Sequence, residues 1–148
     1  MNEQHVILLI EDNSSDEELT LRAFKKANIA NQVVVARDGA TALDYLFGRG
    51  SYAGRNVDDV PQVVLLDLNL PKIGGLDVLR AIRSDERTKL VPVVILTSSK
   101  ENEDRLGGYE LGANSYIVKP VDFTQFADAV RQLGLYWLVL NQSPPTLG

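Results

Sequence analysis

Residues 63–71 read VVLLDLNLP. The stretch begins with four apolar residues, Val63–Leu66, which are followed directly by an acid, Asp67, and soon afterwards by Pro71. Four consecutive apolar residues without polar alternation are typical of a strand that is covered on both faces, as in a parallel sheet. An aspartate directly behind such a strand lies at the carboxyl edge of the sheet, where open α/β folds bind their ligands. The stretch therefore predicts both a fold class and the place of a site.

Four more short apolar runs occur along the chain, and the apolar residues between them recur at the three- and four-residue steps of helices. The runs are Val6–Ile10, Val33–Ala36, Val93–Leu96 and Tyr116–Val118. Strands and helices that alternate five times predict one α/β domain with a doubly wound parallel sheet. The segment Gly48–Pro61 breaks this alternation with three glycines, a proline and a polar cluster, and it predicts a long exposed loop.

Length and composition limit the remaining choices. A chain of 148 residues fits one domain, expected over residues 1–141, and the polar residues 142–148 are expected to form a flexible C-terminal tail. The net charge of −5 and the scattered basic residues argue against a nucleic-acid partner. The sequence has no cysteine and no apolar run long enough for a membrane span or a signal peptide, so we expect a cytoplasmic protein without a membrane partner.

The side chains at the carboxyl ends of the predicted strands are charged or reactive. Glu11 and Asp12 follow the first strand, Asp67 follows the third, Thr97 ends the fourth and Lys119 follows the fifth. Because the carboxyl ends of parallel strands meet at one edge of a sheet, four of the five strands deliver a reactive or charged group to a single place. This coincidence of position predicts a functional site more strongly than any one of the residues does.

Three carboxylates at one place are costly without a cation. Two like charges about 4 Å apart repel by roughly 4 kcal/mol at an effective dielectric constant of about 20. Lys119 would offset one of the charges on Glu11, Asp12 and Asp67, and a hard divalent cation would offset the other two. Mg²⁺ suits such a site, because it binds one or two carboxylates and leaves room for phosphate oxygens. Asp67 would then act as a nucleophile toward phosphorus, with Lys119 and the Thr97 hydroxyl stabilising the transferred oxygens.

These motifs resemble the receiver domain of bacterial response regulators. The resemblance is carried by Glu11-Asp12, residues 66–71, Thr97-Ser98 and Lys119-Pro120, and it extends from Val6 to about Leu140. It implies a (βα)5 flavodoxin-like fold with the strand order 2-1-3-4-5. It also implies a single-domain response regulator of a two-component phosphorelay, which is a signalling protein and not an enzyme in its own right. Such a protein accepts a phosphoryl group from a phosphohistidine of a sensor histidine kinase and passes the signal on through protein contacts.

The resemblance also assigns roles to the residues of the site. It implies that Asp67 is the phosphoacceptor. It implies that Mg²⁺ is bound by Asp12, Asp67 and the backbone carbonyl of Asn69, with Glu11 reaching the ion through water. Asn69 and Ser99 occupy positions that in this family tune the lifetime of the phosphoryl group.

A second set of residues resembles the family's switch. Thr97 and Tyr116 correspond to a pair in which the threonine hydroxyl moves toward the phosphoryl group and the aromatic ring turns inward. The small side chain of Ser98 leaves space for that ring. The Lys119–Pro120 peptide is usually cis in this family, which aims the lysine at the site.

Two segments resemble those of one particular group of response regulators. The loop Gly48–Pro61 and the ending Gly134–Asn141 are similar to regulators of bacterial and cyanobacterial phytochromes, which implies a histidine kinase partner of the phytochrome type. Residues 135–140 are apolar all round, whereas a helix packed on a core needs only one apolar stripe. We therefore expect a homodimer through the C-terminal helix region, with a tail that folds over the patch as the alternative. The expected contact residues are Tyr136, Trp137, Val139 and Leu140.

Other folds that use an aspartate at a strand end fit the sequence less well. Phosphatases of the haloacid dehalogenase type and Toprim metal enzymes need a second acid two residues after the first, where this chain has Asn69. A flavodoxin needs a phosphate-binding loop after its first strand, and Glu11-Asp12 would repel a phosphate there. The main rival is a receiver that only docks and is not phosphorylated, but such modules usually lose part of a site that is complete in this sequence.

Overall fold

The computed structural model of the protein describes residues 6–26, 32–68, 70, 73–97 and 115–118. For Ala23, Lys26, Thr97 and residues 115–118 it describes the backbone alone. The expected domain limit at residue 141 and the expected tail, residues 142–148, lie outside these ranges and stay predictions. Among the helices that are described, none is both long enough and apolar enough to cross a membrane.

Strands and helices alternate along the described chain. The strands are β1 (Ile7–Ile10), β2 (Val33–Ala36), β3 (Val63–Asp67), β4 (Val93–Thr97) and β5 (Ser115–Val118). The helices are α1 (Ser14–Lys26), α2 (Gly39–Phe47) and α3 (Gly75–Ser84), with a short 3₁₀ turn at Gly50–Tyr52. All neighbouring strands are parallel and lie in the order β2-β1-β3-β4-β5. This order confirms the flavodoxin-like fold, and each apolar run of the sequence matches a strand to within one residue.

The central strands are apolar because both of their faces are covered. Every residue of β1 and β3 is buried, including Asp67 at the end of β3. Alternate residues contribute to two separate cores: Leu8, Ile10, Val64 and Leu66 pack with α2 and α3, whereas Ile7, Leu9, Val63 and Leu65 pack with Phe24 of α1. The strand β2 has a single neighbour, and three of its four residues are only partly buried, as expected at the margin of a sheet.

Short polar turns start the first two helices directly behind their strands. The side-chain oxygen of Asn13 accepts a hydrogen bond from the backbone N–H of Asp16 at 3.0 Å, in the first turn of α1. Asp38 does the same for Thr41 in α2 at 2.7 Å. These caps satisfy N–H groups that have no partner inside the helix, so each helix can begin within a few residues of the sheet edge. Helix α2 is capped at its carboxyl end by Gly48, whose φ of 66° lies in the left-handed region that glycine adopts without strain.

The segment Gly48–Pro61 is a loop, as expected, but it is folded onto the end of α2. Its anchor is Arg55, whose Nε and Nη2 atoms donate to the backbone carbonyls of Tyr45 and Leu46 at 2.6 and 3.3 Å. The Nη1 atom of Arg55 donates to the carbonyl of Asp59 at 2.8 Å, which ties the loop to the same guanidinium group. Arg55 therefore satisfies carbonyls in the last turn of α2 and holds the loop against it.

Tyr45 supplies the apolar side of this anchor. The guanidinium carbon of Arg55 lies 4.1 Å from the centre of the Tyr45 ring, and Tyr52 meets the same ring edge to face at 5.2 Å. Burial raises the pKa of Tyr45 above its ordinary value of 10.0, and the positive charge of Arg55 opposes that shift. The glycines of the segment predict a loop from the sequence alone. The contacts between Arg55 and Tyr45, ten positions earlier, become visible only in the folded chain.

We expect Arg55→Ala to lower the free energy of unfolding by about 2 kcal/mol, because hydrogen bonds from a charged group contribute roughly 1.5–3 kcal/mol and these are not additive. Arg55→Lys should recover little of the loss, since an ammonium group cannot reach three carbonyls and stack on a ring at once. Arg49→Ala is the control, because Arg49 is 57% exposed and lies 3.7 Å from Asp44. Removing such an exposed pair should cost less than about 0.5 kcal/mol. Urea denaturation measures both effects, and equal losses in the two alanine variants would contradict the role of Arg55.

Candidate functional site

The carboxyl edge of the sheet brings the ends of β1, β3 and β4 to one level. Ile10 pairs with Leu66, so the residues that follow β1 lie beside the end of β3. Asp67 pairs with Leu96, so Thr97 lies one residue beyond the level of Asp67 on the next strand. The register of the sheet therefore places the predicted site residues of three strands side by side.

Glu11, Asp12 and Asp67 form a carboxylate cluster at this edge. One oxygen from each of the three side chains lies within 4.8 Å of the corresponding oxygens of the other two. Glu11 and Asp67 are nearly buried, with 1% and 5% of their surface exposed, whereas Asp12 is exposed. The cluster is thus closed on the side of the sheet and open to solvent at Asp12, where a reactant can approach.

The chemistry of this cluster suits a hard divalent cation. Three carboxylates carry three formal negative charges, and their oxygens are the ligands that Mg²⁺, Mn²⁺ and Ca²⁺ prefer in proteins. Two such charges about 4 Å apart repel by roughly 4 kcal/mol at an effective dielectric constant of about 20, so a bound cation would remove a substantial cost. The residues present therefore fit a divalent metal ion, as the sequence predicted.

The turn between β1 and α1 holds two of the three acids. The backbone N–H of Glu11 donates to the carbonyl of Ala36 at 3.0 Å, which keeps the sheet pairing intact up to the first acid. The backbone N–H of Asn13 makes a long contact of 3.4 Å with a carboxylate oxygen of Glu11. Asn13 also caps α1, so one residue contacts an acid of the cluster and starts the next helix. Asn13 was not among the residues predicted for the site, although an asparagine just before a helix with an acidic first turn is a recognisable cap signal.

Only some of the residues predicted for the site lie in the part of the chain that the structure describes. It brings Glu11, Asp12 and Asp67 together, and it places the backbone of Thr97 at the same edge. Tyr116 lies in β5, where its backbone pairs with Ile95. The other predicted residues lie outside the described residues and stay predictions: Asn69, Ser98, Ser99, Lys119, Pro120, Tyr136, Trp137, Val139 and Leu140.

We expect Asp12→Asn to have opposite effects on the metal-free protein and on metal binding. Removal of one of three like charges should raise the free energy of unfolding of the metal-free protein by about 1 kcal/mol, since solvent screens the charge of the exposed Asp12. The same change should weaken Mg²⁺ or Mn²⁺ binding by roughly tenfold or more, because the site loses a ligand. Thermal denaturation in a chelator and calorimetric titration with the metal measure the two effects.

Asp77→Asn is the matched control for that experiment. Asp77 is an exposed acid of α3 that pairs with Arg80 at 2.8 Å and is not one of the three acids of the cluster. Its substitution should leave the metal affinity unchanged. A metal affinity that falls equally in both variants would mean that net charge, and not the cluster, governs binding.

Comparison with known proteins agrees with this geometry. Residues 7–131 match the family described as the response regulator receiver domain. The crystal structure of the phosphorylated cyanobacterial phytochrome response regulator RcpA is similar with a TM-score of 0.87 and 37% sequence identity, over 96% of this chain and 99% of RcpA. The bacteriophytochrome response regulator AtBRR is 52% identical with a TM-score of 0.76, over 95% of this chain and 100% of AtBRR.

A third relative was crystallised with a metal ion. The response regulator Rcp1 of Synechocystis sp. (strain ATCC 27184 / PCC 6803 / Kazusa) is 35% identical over 137 residues, which cover 93% of this chain and 91% of Rcp1. The Mn²⁺-bound structure of Rcp1 has a TM-score of 0.85 and covers 95% of this chain and 99% of that one. The family match, the strand order and the overall similarity to these proteins agree, and this chain belongs to the response regulator receiver domain family.

Proposed function

We propose that this protein is a phosphorelay response regulator that takes a phosphoryl group from a sensor histidine kinase onto Asp67 with Mg²⁺. The observation that carries the proposal is the carboxylate cluster of Glu11, Asp12 and Asp67, whose oxygens lie within 4.8 Å of one another at the carboxyl edge of the sheet. Membership of the receiver family and similarity to the phosphorylated RcpA support it.

Asp67 is the best nucleophile of the three acids. A carboxylate oxygen of Asp67 would attack the phosphorus of the phosphohistidine, forming a P–O bond as the P–N bond breaks, and the bonding electron pair would return to the imidazole nitrogen. Asp67 ends β3, which is held between β1 and β4, so its backbone is fixed on both sides. Asp12 and Glu11 come from the turn after β1 and are better suited to hold a cation beside the acceptor.

We propose Mg²⁺ as the cation of the cluster. Asp12 and Asp67 would bind it directly with the backbone carbonyl of Asn69, and Glu11 would reach it through water. When bound, the ion neutralises the phosphoryl oxygens and offsets the charge of the acids. The Mn²⁺-bound structure of Rcp1 supports a divalent ion in a similar protein. Mg²⁺ is favoured because it keeps open coordination positions for phosphate oxygens.

Five further residues have roles that rest on the resemblance to the family. Lys119, aimed by a cis Lys119–Pro120 peptide, would neutralise a transferred oxygen, and the Thr97 hydroxyl would donate to another. Thr97 and Tyr116 would form the switch, with Ser98 leaving space for the ring. The backbone positions of Thr97 and Tyr116, on the neighbouring strands β4 and β5, are compatible with such a pair.

The partner is proposed to be a histidine kinase of the phytochrome type. RcpA is a cyanobacterial phytochrome response regulator and AtBRR is a bacteriophytochrome response regulator, and each is similar over 95% or more of this chain. The receiver would act as a signalling protein that assists its own phosphoryl transfer and dephosphorylation, and not as an enzyme with a separate substrate.

The remaining parts of the proposal concern assembly and setting. We propose a receiver domain over residues 1–141 with a flexible tail, residues 142–148, and a homodimer through Tyr136, Trp137, Val139 and Leu140. The acidic net charge of −5 favours a protein partner over nucleic acid. The cytoplasm is the proposed location, since the phosphodonor for such a regulator is a cytoplasmic kinase domain.

The intact mass after incubation with a small acyl phosphate and Mg²⁺ tests the acceptor. We expect the wild type to gain one phosphoryl group and Asp67→Asn to gain none, because the amide is a poor nucleophile. Asp12→Asn should be phosphorylated at least about tenfold more slowly, since its metal binding is weakened.

Asp77→Asn should behave like the wild type in the same assay, because its side chain pairs with Arg80 outside the cluster. A phosphoryl group that persists on Asp67→Asn would mean that another residue is the acceptor. A wild type that binds Mg²⁺ but takes no phosphoryl group, either from the acyl phosphate or from a phosphorylated kinase, would favour the docking module instead.

A further inference from the structure

The start of α3 lies directly against the backbone of Asp67. The backbone N–H of Gly75, the first residue of α3, donates to the carbonyl of Leu68 at 3.2 Å. A β-carbon added to Gly75 would lie 2.5 Å from the carbonyl oxygen of Asp67 and 2.6 Å from the α-carbon of Leu68. Real β-carbons do not come closer than about 3.0 Å to such atoms, so only glycine fits this junction as it stands.

The reason for a glycine here is space and not backbone conformation. The positive φ angles among the described glycines belong to Gly48 and Gly50, and Gly75 has none. Alanine is the better helix former, so the local helix would favour it at this position. A glycine is therefore needed here because only a residue without a side chain leaves room for the close contact with Asp67 and Leu68.

Neither side of the junction can move away easily. Helix α3 is held by Val78, Leu79 and Ile82, which are fully buried in the core beneath it. The strand β3 is paired on both sides, with β1 and with β4. A methyl group at Gly75 would therefore press directly on the backbone of Asp67 and Leu68, and only a shift between the start of α3 and the end of β3 would relieve the clash.

We propose that Gly75 is a positioning residue that sets the place of Asp67 relative to Glu11 and Asp12. Relief of the contact with the Asp67 carbonyl requires a shift of at least about half an ångström, from 2.5 Å to 3.0 Å. Functional sites tolerate errors of only about 0.5 Å, and Mg²⁺ demands ligands close to ideal octahedral positions. This inference rests on the proposed function of the cluster, and it adds that the close contact at the start of α3 sets the geometry of that cluster.

The test compares three variants of the full chain at a temperature where all of them are folded. Gly75→Ala should bind Mg²⁺ at least tenfold more weakly by calorimetry and accept a phosphoryl group from an acyl phosphate at least tenfold more slowly at saturating Mg²⁺. Gly74→Ala, one residue earlier, should stay within twofold of the wild type, because the nearest atom to a β-carbon there is an Asp77 oxygen at 3.8 Å. Ile82→Ala should melt at a lower temperature but keep both quantities within twofold, since Ile82 lies at the other end of α3.

The outcomes separate positioning from stability. Normal Mg²⁺ affinity and normal phosphorylation in Gly75→Ala would overturn the inference, as would losses in Ile82→Ala as large as those in Gly75→Ala. A wild type that neither binds Mg²⁺ nor accepts a phosphoryl group would overturn the proposed function and this inference with it.

If Gly75→Ala does not fold, a second pair of variants decides. Leu68→Ala loosens the same junction, because the Cδ2 atom of Leu68 lies 3.1 Å from the β-carbon position at Gly75. Val60→Ala removes a partly buried apolar side chain at the opposite edge of the sheet. We expect Leu68→Ala to be phosphorylated at least threefold more slowly than Val60→Ala, and equal rates would overturn the inference.

Discussion

Three carboxylates held close together repel one another, and the pairing and packing of the strands that carry them must overcome that repulsion. Glu11 and Asp67 are held almost out of water beside each other and beside Asp12, within 4.8 Å. Left to themselves, such groups would move apart, because the distance between like charges sets their repulsion. They stay together because the strands that carry them are paired along their whole length and covered on both faces by apolar cores. The hydrophobic core thus holds the three acids close together despite the repulsion between them.

The acids of the cluster are held to the sheet to different degrees. Asp67 ends a strand with a neighbour on each side, and Glu11 is still hydrogen-bonded to the sheet through its backbone. Asp12 comes after the last sheet contact and faces solvent. Under the proposed function, a well-held Asp67 beside the more accessible Asp12 would let a cation and a phosphoryl group enter from one side without any movement of the core. The start of α3 also lies close against the Asp67 backbone, outside the sheet pairing.

Much of this arrangement could be predicted from the sequence, because it depends on patterns that are local. Unbroken apolar runs mark strands covered on both faces, and the acids at their ends meet wherever the strands are parallel, so the fold, the strand order implied by the resemblance and the cluster of Glu11, Asp12 and Asp67 were all predicted. Contacts between distant residues were not. Arg55 reaches back ten positions to Tyr45, and the value of Gly75 appears only when α3 is packed on β3. In the sequence, Arg55 looks like any other arginine of a loop and Gly75 like any other glycine of a turn, so nothing marks either residue before the chain is folded. The roles expected for residues after Val118 stay predictions, because the described residues end there.

The folded loop after α2 has a consequence for how such a protein can diversify. Helix α2 starts at the carboxyl edge of the sheet and carries the chain to the other edge, where Arg55 fastens the loop to the last turn of the helix. The strand β3, which spans about 13 Å from its first to its last Cα atom at roughly 3.3 Å per residue, separates this loop from Asp67. Because the loop is fastened to a helix and not to the acids, its outer residues can be exchanged, lengthened or shortened over generations while the chemistry stays constant. A gene duplicate could acquire a new recognition surface there without any change to the carboxylate cluster.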